Sequence, residues 1–362
     1  MSRALQGWGL ALLPAVLSAQ QPARITEAET VLQPLVESYG VSGMEGPVRE
    51  TVQRLLPRSA RTQTDTAGNL WLTMGSGEPT VVFVAHLDEI GFKVTAIRDD
   101  GTLDTETMGG LFPALWEGRP ALVHTGGRTI PGVFVPRDTA DTASPVGSPP
   151  AVRVDVGAPD RAGAEALGIR AGHTVTSPKR YVRLLATRAT GRSFDDRVGS
   201  AALVLAARRL ESSRLRHTVI FIWSTREEIG LEGARAAAAA LGLRPSRVHA
   251  VDTFVSADSP LERTNFGVAP LGAGPVARAL DNSSVTPPAL VDSLVTLARG
   301  ARIPLQVGAT NGGNDGSVFA GWGVPDVPLG WPLRYSHSPV EVADLRDVAA
   351  LADLVRAVAE RW

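Results

Sequence analysis

The chain has 362 residues, enough for a sizeable core in one or two domains, and carries 36 Lys and Arg against 37 Asp and Glu. A formal net charge of −1 gives no global field for nucleic acid or an anionic membrane surface. Cysteine is absent, which excludes disulfides, thiolate metal sites and a cysteine nucleophile, so any metal must be held by His, Asp and Glu.

Arg3 precedes the apolar run 10–17, which is followed by Ser18 and Ala19. A positive start, a short apolar stretch and a small-residue exit describe a secretory signal peptide over residues 1–20, and hence a secreted or periplasmic protein. An N-terminal helix packed on a cytoplasmic protein is the alternative. The run is too short to span a bilayer, and no other segment approaches a membrane span.

Residues 26–56 read as helix broken at Gly40 and Gly43, with apolar positions at Val31, Leu32, Leu35 and Val36 and again at Val48, Val52, Leu55 and Leu56. A strand is predicted over 69–74. The uninterrupted apolar run 80–85 suits a strand in a sheet covered on both faces. Between 91 and 187 the character changes. Short β-like stretches at 92–97, 121–124, 132–135, 152–156 and 181–185 are separated by Gly, Pro and Asp clusters, the pattern of a small barrel. Residues 138–150, rich in Pro, Ser, Thr and Asp, read as a mobile loop. From Arg197 helices and strands alternate again, with helices over 198–210, 233–241, 288–299 and 343–361 and strands over 218–223, 248–251 and 305–307. The expected fold is α/β: a mixed or parallel sheet sandwiched by helices, built from 24–90 and 188–362, with an inserted β-barrel at 91–187.

Ionisable residues gather just after the predicted strands: His86, Asp88 and Glu89; Asp195, Asp196 and Arg197; Glu227 and Glu228; Asp252; and His337. In open α/β sheets the carboxyl ends of the strands form the ligand crevice. Each group alone has an ordinary structural explanation as a hydrogen-bonded pair, a solvated surface pair or a helix cap. Five groups in one register point instead to a pair of divalent cations, about 3.5–4 Å apart and sharing a carboxylate. Three carboxylates and two neutral imidazoles leave such a site one positive charge, which acidifies a shared water. A further carboxylate must then accept the proton.

These motifs resemble the dinuclear metal aminopeptidases of the glutamyl and deblocking type, whose best-known members assemble as tetrahedral shells. The resemblance runs through Ala85-His86-Leu87-Asp88-Glu89-Ile90-Gly91-Phe92, Phe194-Asp195-Asp196-Arg197-Val198-Gly199 and Thr225-Arg226-Glu227-Glu228-Ile229-Gly230. It continues in Ala250-Val251-Asp252, Gly312-Gly313-Asn314-Asp315 and Arg334-Tyr335-Ser336-His337-Ser338-Pro339-Val340-Glu341. It implies a zinc-peptidase-like fold and two divalent cations per subunit, Zn²⁺ first and Co²⁺ or Mn²⁺ as alternatives. By the same resemblance His86 and Asp252 serve one metal, Glu228 and His337 the other, and Asp195 bridges them. Glu227 is the general base, and Asp88 bonds the distal nitrogen of His86. Asp196 and Arg197 are structural, and the barrel mediates homo-oligomerisation. The substrates implied are peptides, cleaved at the N-terminal bond. The family usually has Gly-Gly-Thr-Asp-Ala where this chain has Gly312-Gly313-Asn314-Asp315-Gly316. His124, His173, His217 and His249 match no motif and read as surface or satisfied core residues.

Three other readings stay in view. One is another dinuclear-metal amidohydrolase, a carboxypeptidase or deacylase, on the same scaffold. A glycosidase using Glu227 and Glu228 would need carboxyl groups about 5 Å or more apart across a sugar and leaves the histidines unexplained. A non-catalytic binding or shell-forming protein would be expected to have lost a ligand or the base, and all six positions are filled.

Overall fold

A computed structural model describes residues 13–136, 152–242, 244–259 and 267–362. The expected loop at 138–150 and the first twelve residues of the expected signal segment lie outside them. The first helix runs from Leu13 to Glu37, so the expected boundary near residue 20 falls inside a helix. No described helix is long and apolar enough to cross a membrane.

The larger layer is an eight-stranded mixed sheet. Its order is Thr62–Thr64, Leu70–Met74, Thr218–Ser224, Thr80–His86, Pro245–Val255, Leu329–Leu333, Val276–Leu280 and Gln306–Ala309. Four central strands are parallel, Thr218–Ser224 through Leu329–Leu333. Every residue of Thr80–His86 is buried, as its unbroken apolar run requires of a strand covered on both faces. The helix Leu345–Arg361 starts at Asp344, whose side chain accepts the Arg346 N–H, and buries Val348, Leu351, Ala352, Val355, Val358 and Ala359. This spacing of three and four residues makes one apolar face. Each fully buried valine or leucine of this face contributes about 1.5–3 kcal/mol.

The insertion is a closed six-stranded barrel, Gly91–Ile97, Leu103–Met108, Arg153–Asp155, Thr129–Phe134, Pro120–His124 and Thr174–Thr176. It has its own core around Phe92, Trp116 and Phe134. One expected strand belongs elsewhere. Val182–Arg183 pairs with Arg188–Gly191 and through it with Glu341–Asp344, in a separate three-stranded sheet. The barrel is closed instead by Thr174–Thr176, which is wholly buried although two of its three residues are threonine.

Glu89 marks the junction. Its carboxylate, fully buried, meets Lys179 at 2.9 Å, Arg192 at 2.6 Å and Arg197 at 3.7 Å. It thereby ties the segment entering the barrel to the segment leaving it.

Candidate active site

Parallel register places the site. Ser224 pairs with His86, so Glu227 and Glu228 lie three and four residues beyond the strand end beside that histidine. Val84 pairs with Ala250, and two residues further along these strands stand His86 and Asp252. Asp195 arrives at the start of the helix Phe194–Arg209, and His337 from the loop after Leu329–Leu333. Tyr335 and His337 hold φ near +60°, a strained conformation for non-glycine residues. His86, Asp195, Glu227, Glu228, Asp252 and His337 are thus brought together around a cavity of about 550 Å³, with Asp88 behind them.

Asp195 stands between two imidazoles. Its Oδ1 lies 3.3 Å from His86 Nε2, and its Oδ2 lies 3.6 Å from His337 Nε2. His337 Nε2 is also 3.4 Å from Glu228 Oε2. Donor atoms of His86, Asp195 and Asp252 all fall within 4.8 Å of one another, as do those of His86, Glu227 and Glu228. Glu227 Oε2 is 3.9 Å from His86 Nε2.

Asp88 does more than accompany His86. His86 Nδ1 is 3.2 Å from the Asp88 carbonyl and 3.4 Å from its carboxylate. The same carboxylate accepts the backbone N–H of Glu227 at 3.0 Å and of Glu228 at 3.1 Å, and the Ser42 hydroxyl at 2.6 Å. One buried aspartate therefore sets both the histidine and the glutamate pair. Asp196 accepts N–H groups from Gly199 and Trp331, and Arg197 donates to the carbonyls of Leu35, Leu87 and Asp88.

Negative charge is in surplus here. Burial, followed by repulsion from Asp252, Glu228 and Asp315, pushes the Glu227 carboxyl well above the ordinary range despite attraction by His86. Burial raises Asp252 to about 6 against the pull of Arg278, and raises Asp315 to about 7. Asp195 is held below its usual range because its close contacts with the His337 and His86 imidazoles outweigh its burial. Two imidazoles among crowded, partly uncompensated carboxylates are a donor set that fits divalent cations. The added positive charge would offset the repulsion.

Several working residues carried no assigned role in the sequence reading. Glu341, buried, accepts the N–H of Phe194 at 2.6 Å and of Asp195 at 3.4 Å with one oxygen, and that of His337 at 3.2 Å with the other. It joins the loop carrying Asp195 to the loop carrying His337. Its sequence signal was its place at the end of the motif that carries His337, four residues on. Arg278, buried, lies 3.3 Å from Asp252 and 2.9 Å from Asp281, and donates to the Gly313 carbonyl. The departure at Gly316 has a steric setting. A Cβ there would stand 2.1 Å from Asp326 Oδ1, so an alanine would require the Asp326 carboxylate to shift. Asp315 accepts the Ser224 hydroxyl behind the site.

The four remaining histidines stand apart. His249 is a core residue stacked on Phe83, with Nδ1 at the Val327 carbonyl, and His124 bonds Thr176. His173 accepts the Arg170 N–H. His217 belongs to neither donor cluster.

A family model described as M42 glutamyl aminopeptidase matches residues 68–354. A lysyl aminopeptidase of Pyrococcus furiosus is 33% identical, over 91% of this chain and 96% of that protein. The TET1 peptidase of Pyrococcus horikoshii, whose structures are a tetrahedron and a large octahedral shell, is 31% identical with a TM-score of 0.82, over 94% of this chain and all of that one. An aminopeptidase of the archaeon Desulfurococcus kamchatkensis is 29% identical with a TM-score of 0.85, over 95% and 96%.

Proposed function

The chain belongs to the M42 glutamyl aminopeptidase family and is a metal-dependent aminopeptidase, and from that premise we propose how its site works. His86 and Asp252 hold one divalent cation, Glu228 and His337 a second, and Asp195 is shared. The observation that carries this reading is that the two oxygens of Asp195 face two different imidazoles. Zn²⁺ suits the mixed nitrogen and oxygen donors, with Co²⁺ or Mn²⁺ as alternatives. When bound, such a cation pair acidifies a water and polarises the scissile carbonyl.

The chain's own residues do the rest. Glu227 accepts the proton of the attacking water and returns it to the leaving amine, switching from base to acid. Asp88 keeps Glu227 and Glu228 at fixed distance from His86 through the two backbone N–H groups it accepts. Glu341 holds Asp195 and His337 in one frame. The test is a panel of aminoacyl-anilides with N-blocked peptides as controls. Release of the free N-terminal residue alone is expected. Cleavage of only N-blocked or C-terminal positions would replace this reading with a deacylase or carboxypeptidase.

We further propose that the barrel mediates self-association, as the shells of the Pyrococcus horikoshii relative suggest. Light scattering on the full-length protein is expected to give a homo-oligomer, and a strict monomer would contradict this. The apolar run 10–17 after Arg3 supports export, with a mature chain beginning near Gln20. N-terminal sequencing of protein from an envelope or extracellular fraction checks it, and an intact Met1 on cytosolic protein overturns it.

A further inference from the structure

The barrel reaches into the active site through one turn. Met108 ends a barrel strand opposite Gly91, and the chain then turns at Gly109 and Gly110 directly over the Glu228 and His337 side of the cavity. Gly109 has φ +88°, and a Cβ on it would stand 2.7 Å from Ile90 Cγ2 and 3.2 Å from both Cβ and Oε2 of Glu228. The next carbonyl, that of Gly110, lies 2.5 Å from Nδ1 of His337. That contact requires the proton on Nδ1 and leaves Nε2 facing Glu228 and Asp195. Among the described residues His86 has no such partner from the barrel: its Nδ1 is met by Asp88, on the chain that continues from its own strand.

We propose that the Gly109–Gly110 turn is a positioning element of the catalytic centre. The Gly110 carbonyl fixes the tautomer and orientation of His337, while Gly109 gives the Glu228 carboxylate the space it occupies. One half of the site is therefore built jointly by the two parts of the fold, and the half around His86 and Asp252, among the described residues, by the α/β part. The barrel has a role at the site that is separate from assembly. This rests on the reading of these residues as ligands of two cations, and the test separates the two.

Metal-free full-length protein is titrated with ZnCl₂ by calorimetry. Wild type is expected to take up two equivalents; failure to bind any divalent cation would defeat the ligand reading itself. In Gly109→Ala one equivalent is expected to bind as in wild type and the other to weaken by about 10–100-fold, the usual effect of disturbing a group that orients a ligand. Gly126→Ala is the control. It carries the same positive φ, +82°, in a barrel turn with nothing within 4 Å, and should keep both affinities. Equal weakening of both equivalents, or none, in a folded Gly109→Ala protein overturns the proposal. Should that variant fail to fold, nitrogen-15 spectra of the zinc-loaded wild type decide. A proton on Nδ1 of His337 is expected, and metal on Nδ1 with the proton on Nε2 overturns the assignment.

Discussion

Glu227→Gln is expected to lower kcat by about 10²–10⁴ while the protein keeps its full metal content. Glu227 and Glu228 are consecutive, and their backbone N–H groups are held by the two oxygens of one carboxylate, Asp88. Their side chains nevertheless serve different partners. Glu228 Oε2 faces His337, whereas Glu227 Oε2 faces His86 at 3.9 Å. A base must accept and then release a proton, and glutamine keeps the shape and the hydrogen-bonding capacity but cannot accept one. A ligand must stay ionised on a cation. Glu228→Gln is therefore expected to weaken one metal and to recover partly in excess metal salt. Steady-state kinetics on an aminoacyl-anilide together with elemental analysis distinguish the two. If Glu227→Gln is the variant rescued by metal and Glu228→Gln the metal-replete, inert one, the roles are exchanged. If both stay fully active, the dinuclear peptidase reading fails.

Asp195→Ala removes the carboxylate that two imidazoles share, and metal content is expected to fall from two equivalents towards none, with activity at background. By contrast, His86→Ala or His337→Ala should each weaken mainly one equivalent, because each imidazole meets a different oxygen of Asp195. The size of the effect follows from the shared position: Asp195 is buried, and deleting it removes an attraction that both cations would feel at short range. Stripping the wild type with a chelator should reproduce the inactive state and reverse on adding metal, whereas Asp195→Ala should not recover. Near-UV circular dichroism on the same samples separates metal loss from unfolding. Two full equivalents retained in a folded Asp195→Ala protein would remove Asp195 from the shared position.

The sequence by itself determined the α/β frame, the β-rich interruption and the set of side chains at the strand ends. These are local properties: an unbroken apolar run such as 80–85 is legible because a strand covered on both faces has no polar side. Parallel strands also place their carboxyl ends together, so residues that follow separate strands converge without any contact being known. The tertiary structure alone decided what has no local signature. Thr174–Thr176 closes the barrel by pairing with distant strands, and Val182–Arg183 leaves it in a hairpin with Arg188–Gly191, which itself pairs with the distant Glu341–Asp344. Glu341 clamps Phe194 across 147 residues of chain, and the Gly110 carbonyl meets His337 across 227. Every residue carries a carbonyl and nearly every one an N–H, so composition and spacing cannot show which of them a fold will bring to a histidine or a buried carboxylate.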